Sequence, residues 1–368
     1  DHWESLKMGM PAISVRDLQV KDDDSCLCSD LVAGTHGRGF WILDDITPLR
    51  QHAQAEAARQ AGNAFLFKPA TAVRVRFGTN DPTPWPPELP AGENPLPGGL
   101  IDYALARAAS GPVTLEIADA AGKIIRHYSR SDHVRDPNPA LDPAAYDKVC
   151  QQTPTAPDCA LPLYWPAAPI RLSTRAGVHR FTWDLRFDPF GEDPDAGDEG
   201  ATGAVPHHTY DLPYSPWAPP GTYTARLTVD GKRYEQPITL RLDPRVTTPA
   251  AGLAQLHTLT RELYDDAAQA HNAYTEARAL IGRLGSSADA AALKTKIEAI
   301  APPETEARRG RGFGPGAGDA PLQTLASVSD AAMAAAMAMQ GADMAPTAGQ
   351  VAATAKARAD IKAMMNQW

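Results

Sequence analysis

Two glycines one residue apart restrict this chain more than any other feature. Gly37 and Gly39 interrupt the run Leu31-Val32-Ala33-Gly34-Thr35-His36-Gly37-Arg38-Gly39-Phe40-Trp41-Ile42-Leu43. Leu31 to Thr35 is apolar and β-branched enough to form a strand, and Phe40 to Leu43 is a second apolar run. Glycine tolerates the backbone angles of a tight reversal, so the pair predicts a hairpin. His36 and Arg38 then stand at its tip, and Asp44-Asp45 at its far end. Ser14 to Val20 reads as one more strand ahead of it, after the short run Trp3 to Leu6. Four short strands in about 45 residues amount to one small sheet, not to a domain with its own core.

The same residues resemble the closing blade of a large family of secreted bacterial β-propellers, of the sortilin-like or BNR type. Asp17-Leu18-Gln19-Val20-Lys21-Asp22-Asp23-Asp24 and Asp30 to Asp45 carry the resemblance. Ser25-Cys26-Leu27-Cys28-Ser29 departs from the pattern, as an insertion in a turn. The resemblance implies a propeller followed by a β-sandwich and a helical tail, with the other blades, and the propeller's central site, ahead of Asp1. Distant relatives include xyloglucanases and sialidases. Glycan binding or hydrolysis by the intact protein is therefore implied, with this portion accessory and not catalytic by itself. The alternative is a receptor-like platform that binds protein or peptide without chemistry.

A length of 368 residues allows two or three domains with real cores. The formal charge of −9 argues against a nucleic-acid surface, which needs concentrated Lys and Arg. Arg308-Arg309-Gly310-Arg311, the one compact basic run, reads as a solvated loop. No stretch approaches the roughly 18 uninterrupted apolar residues of a membrane span, so none is expected.

Cys150 and Cys159 bracket a short proline-bearing loop and are expected to pair, which would place the chain in a periplasmic or extracellular compartment. Cys26 and Cys28 lie beside Asp22, Asp23, Asp24 and Asp30. Their spacing is not that of a zinc site, and the acidic run does not alternate with Asn and Gly as a calcium loop does. A polar turn with incidental thiols is expected, and neither a metal nor a cofactor.

Residues 48–64 turn polar and alanine-rich and read as a linker with a helical turn or two. Val73 to Phe77 alternates as a half-buried strand. The prolines at 82, 84, 86, 87, 90, 95 and 97 remove donors and fix φ, which forces a loop. Strands resume at Leu100–Ala106, Val113–Ile117, Lys123–Tyr128, His179–Phe187 and Gly221–Leu242, the last broken by an Asp230-Gly231 hairpin turn. Phe181, Trp183 and Leu185 are expected core anchors, with Arg180, Thr182, Asp184 and Arg186 solvated or sheet-facing. Residues 65–243 therefore predict an immunoglobulin- or fibronectin-III-like sandwich with long proline-rich loops, enclosing the Cys150/Cys159 excursion.

From 247 to 368 the grammar is helical. Thr248 is a plausible N-cap before Pro249. Leu253, Leu256, Thr260, Leu263, Ala267, Ala270, Tyr274, Ala277, Ile281 and Leu284 form one stripe at steps of three and four. Helices are also predicted after Ser286-Ser287 as far as Ile300, at Pro321–Met339, and from Pro346 to the end. The methionines Met333, Met337, Met339, Met344, Met364 and Met365 read as interhelix filler. The predicted class is mixed but mainly β: propeller-blade strands over 1–47, the sandwich, and an antiparallel helical bundle.

No Gly-x-Ser-x-Gly elbow, His-Glu-x-x-His or glycine-rich phosphate loop is present. Asp44, Asp45, Glu116, Asp184, Asp188 and Glu192 show no recognisable glycosidase pair. The ligand candidates are His36 and Arg38, which could meet a carboxylate or sugar hydroxyls or be a satisfied turn. Trp85, Trp165 and Trp217, in proline-rich loops, could stack on a sugar or anchor their loops. The expected partners are upstream propeller blades and a glycan or protein ligand.

Overall fold

The predicted hairpin is present. β1 (Val15–Asp23), β2 (Cys28–Thr35) and β3 (Phe40–Leu43) form an antiparallel sheet in that order. The computed structural model describes residues 6, 9–76, 98–134, 136–156, 159, 162–190, 201–202, 210–211, 215–285, 287–303 and 323–368. The Trp3–Leu6 run falls almost wholly outside them. β1 ends and β2 begins three residues nearer the turn than expected, because the acidic residues pair in register, Asp22 with Ser29 and Asp23 with Cys28. Asp23 closes the turn by accepting the Ser25 N–H at 2.8 Å and the Ser25 hydroxyl at 2.6 Å. Cys26 and Cys28 are disulfide-bonded, which corrects the reading of incidental thiols. The insertion is a stapled turn.

The linker holds more helix than expected, α1 (His52–Gln60). Then follow β4 (Ala64–Leu66), β5 (Ala72–Arg74), β6 (Gly99–Leu105), β7 (Val113–Ala118), β8 (Ile124–Ser129), α2 (Pro143–Gln152) and β9 (Gly177–Trp183). β10 (Ala201–Thr202) and β11 (Tyr210–Asp211) make a two-stranded sheet before β12 (Gly221–Val229) and β13 (Lys232–Leu242). α2 was not foreseen, although Asp142 caps it by accepting the Ala145 N–H and Pro143 occupies its first turn.

A five-stranded sheet, β5-β13-β12-β7-β8, faces a three-stranded one, β4-β6-β9. Strand alternation sends Ile101, Tyr103, Phe181 and Trp183 from one sheet, and Leu115, Ile117, Ala225, Leu227, Ile238 and Leu240 from the other, into a common core. Trp183 meets Tyr223 edge-on across it, with ring centroids 5.2 Å apart. Each large side chain so buried contributes roughly 1.5–3 kcal/mol. Gly98 has φ +144°, and a Cβ there would lie 2.3 Å from the Trp183 carbonyl oxygen, so no other residue fits. The Asp230-Gly231 turn is as predicted, with φ of 50° and 78°.

The chain divides into two compact units. The first holds most of residues 1–245, with all of the sheets. The second holds 246–368 and short segments around Phe190 and Trp217. In it, α3 (Ala250–Arg283), α4 (Ala288–Ile300), α5 (Leu325–Met339) and α6 (Ala348–Met365) follow. Thr248 is not the N-cap of α3; Pro249 is, and the Thr248 hydroxyl donates to the Asp343 carbonyl instead. The predicted stripe is buried from Leu256 to Ala277 except at Tyr274, which is half-buried. Its alanines let α5 approach closely enough for the Ser329 hydroxyl to donate to the Ala267 carbonyl at 2.8 Å. Met333, Met339 and Met364 are filler as expected, but Met344 is exposed because it lies beyond the end of α5. Helix, at 35%, outweighs strand, at 26%, so the class is mixed but not mainly β. The 34-residue α3 alone accounts for much of that.

Candidate functional site

The hairpin tip is as the sequence implies. Gly37 and Gly39 take φ of 86° and 66°, and the Thr35 N–H donates to the Gly39 carbonyl at 3.1 Å. His36 and Arg38 both point into solvent, and among the described residues neither side chain has a hydrogen-bond or ion-pair partner. Trp85 and Glu192 lie outside the described residues. Trp165 is half-buried, edge-on to Tyr164 at 6.4 Å, and its indole N–H is shut from water. Trp217 is half-buried in the second unit, where its backbone N–H donates to the Gln340 side chain at 2.7 Å. Trp165 and Trp217 thus belong to different units. Cys150 and Cys159 are disulfide-bonded as expected.

Arg180 is exposed, within the sequence reading, but its guanidinium is fully engaged. The β6–β9 register sets it opposite Asp102, and its guanidinium bonds Asp102 at 2.9 and 3.1 Å. The same guanidinium donates to the carbonyl oxygens of Asp44 at 2.7 Å and Asp45 at 2.8 Å. One cation therefore clasps the end of β3 to the facing sheets. Burial pushes the Asp102 carboxyl above its ordinary value, outweighing the attraction of Arg180. Burial also opposes the charge on Arg180, but the bonds to Asp102 and the fields of Asp45 and Asp44 together raise its pKa. Asp44 is raised as well, by burial first and by the charge of Asp30 second.

A second network lies at the end of β9. The Asp184 carboxylate accepts from Arg126 at 2.7 Å, from the Tyr128 hydroxyl at 3.0 Å and from the Arg186 N–H at 3.1 Å. Asp188 accepts the His127 N–H at 2.7 Å and lies 3.7 Å from Arg126. Arg186 is buried, and that burial, with the fields of Arg76, Arg74 and Arg126, pushes it down to about 9, still protonated at neutral pH. Asp184 keeps 38% of its side chain exposed while holding these partners, and Arg186 is buried and not solvated. Strand alternation failed here because the chain turns at Leu185, whose φ is 61°.

Four of the six carboxylates that the sequence offers for hydrolysis are otherwise engaged. Glu116 pairs with Arg226, Asp184 and Asp188 with Arg126, and Asp45 accepts the Thr47 N–H at 3.0 Å. Among the described residues no group of three or more His, Cys, Asp or Glu is placed to hold a metal, and no helix is long and apolar enough to cross a membrane.

What remains open is the surface of the small sheet. Leu18 is 57% exposed, Val20 52%, Phe40 80% and Ile42 59%. The strand registers put Leu18, Val20 and Trp41 on one face, and Phe40 and Ile42 on the other with Val32. No family model, curated protein or solved structure matches this chain.

Proposed function

We propose that β1–β3 is the closing blade of a β-propeller, the facing sheets an immunoglobulin-like sandwich, and α3–α6 a helical tail. The whole is then an accessory portion of a periplasmic or extracellular protein that braces the propeller. The observation that supports this reading is the pair of apolar faces on one small sheet. In a propeller, each blade buries both faces against its neighbours. Two disulfides suit an oxidising compartment. In this reading Arg180 fixes the blade to the sandwich, and His36 and Arg38 stand ready at a propeller rim to meet a carboxylate or sugar hydroxyls. A receptor-like, non-catalytic platform is the second reading, and the engaged carboxylates favour it over hydrolysis by this portion.

Hydrogen exchange tests the proposal. The β1–β3 amides should exchange faster in residues 1–368 alone than when the chain is expressed with whatever polypeptide is encoded ahead of Asp1. Equal exchange in both forms would refute the blade reading.

A further inference from the structure

Among the described residues β1 is an edge strand, since β2 alone pairs with it in its sheet. Eight of its nine residues are exposed. The direction of its free main-chain groups follows from the hairpin. Thr35 bonds Gly39, so Thr35 faces β3. Alternation then turns Gly34, Val32 and Asp30 toward β1, where their partners are Asp17, Gln19 and Lys21. The N–H and C=O groups of Leu18, Val20 and Asp22 are left pointing away from β2. The Leu18 N–H confirms this, because its partner is the neighbouring Asp17 carboxylate, at 2.9 Å.

The sequence of this edge is complementary to itself when reversed about Gln19. Asp17 falls opposite Lys21, and Leu18 opposite Val20. A two-fold axis makes each of these pairs twice. Leu18 and Val20 both carry outward main-chain groups, so they can exchange hydrogen bonds in such a pairing once the Leu18 N–H passes from the Asp17 carboxylate, which then meets Lys21. The bulge between Val15 and Asp17 ends the regular edge at one side and the Asp23 turn at the other, which limits the pairing to this segment. At that turn Asp22 is already held, accepting from Ser29 at 2.6 Å and lying 3.9 Å from Arg50.

We infer that β1 pairs antiparallel with β1 of a second copy of this chain, about a two-fold axis at Gln19, joining two small sheets into one. This goes beyond the blade reading, which concerns the faces of the sheet and not its edge.

The test is a charge exchange in the full chain, with association followed by sedimentation across the micromolar range. The native chain should be dimeric. Asp17→Lys sets Lys opposite Lys21, Lys21→Asp sets Asp opposite Asp17, and each creates two repulsive pairs. Either single change should weaken association roughly tenfold or more. The double variant restores both pairs and should dimerise like the native chain, which a folding defect could not imitate. Both substitutions fall on exposed side chains, and circular dichroism should report unchanged secondary structure in all three variants. A monomeric native chain, single variants that remain fully dimeric, or a folded double variant that stays monomeric would each overturn the inference. The second outcome would point to association through the sheet faces instead.

Discussion

The small sheet β1–β3 and the facing sheets around β6, β9, β7 and β12 obey the same strand alternation but meet different fates. In β12, Tyr223, Ala225, Leu227 and Val229 alternate inward and are all buried, because another sheet lies opposite. In β3, Phe40, Trp41 and Ile42 are consecutive and all exposed, because alternation sends them to two faces that are not filled. A two-sided apolar strand is a statement about neighbours on both sides, and the facing sheets satisfy only one-sided strands. The difference teaches that the larger pair covers its own apolar side chains, while the small sheet leaves its own exposed.

The largest expected contrast comes from deleting one aromatic side chain in each region. Trp183→Ala removes a fully buried indole and should cost about 3–5 kcal/mol in urea unfolding, while Phe40→Ser should stay within about 0.5 kcal/mol. Comparable losses at the two sites would erase the distinction.

Next comes the staple in the excursion before β9. Replacing Cys150 and Cys159 by Ser frees a ten-residue loop in the unfolded chain and should cost about 2.7 kcal/mol in the chain-entropy picture. The turn staple, Cys26 to Cys28, spans so few residues that its removal should cost closer to about 1.6 kcal/mol. Calorimetry of the two double variants reads the order directly.

Arg180→Ala strands the Asp102 carboxylate and releases two carbonyls at the end of β3. With Arg180 partly exposed, the loss should be about 2 kcal/mol, below that of a fully buried pair. Its signature is regional: amide exchange should accelerate in β1–β3 and not in β12. Equal acceleration in both would mean that the guanidinium is no clasp.

The smallest effect at ordinary pH lies in the facing sheets alone. Burial pushes the Tyr103 phenol up to about 12 from an ordinary 10, so the folded state favours the neutral form. Its contribution is complete below pH 10 and is lost as pH rises through about 12, at no more than about 1.4 kcal/mol per pH unit. Tyr103→Phe should remove that slope from an alkaline stability profile.

Much of this architecture was legible in the residues. The glycine hairpin, the Asp230-Gly231 turn, the α3 stripe and the Thr347/Gln350 capping box follow from local rules, and the structure places them as those rules require. What local rules missed depended on distance along the chain. Arg180 meets Asp102 only once the β6–β9 register is known, across 78 residues. The burial of Arg186 was missed because alternation was carried through Leu185, where the backbone in fact turns. α2 was hidden among prolines, yet Asp142-Pro143 was a legible start signal. The apolar faces of β1–β3 were visible in the sequence, but their exposure was a fact only the fold could supply.

Hydrogen exchange on residues 1–368, at a concentration where the chain is monomeric, tests the central claim most directly. The account predicts slow exchange in β6, β7, β9 and β12, and fast exchange at the outward amides of Leu18, Val20 and Asp22 and along β3. Slow exchange at those β1 and β3 amides in the monomer, matching the facing sheets, would contradict it.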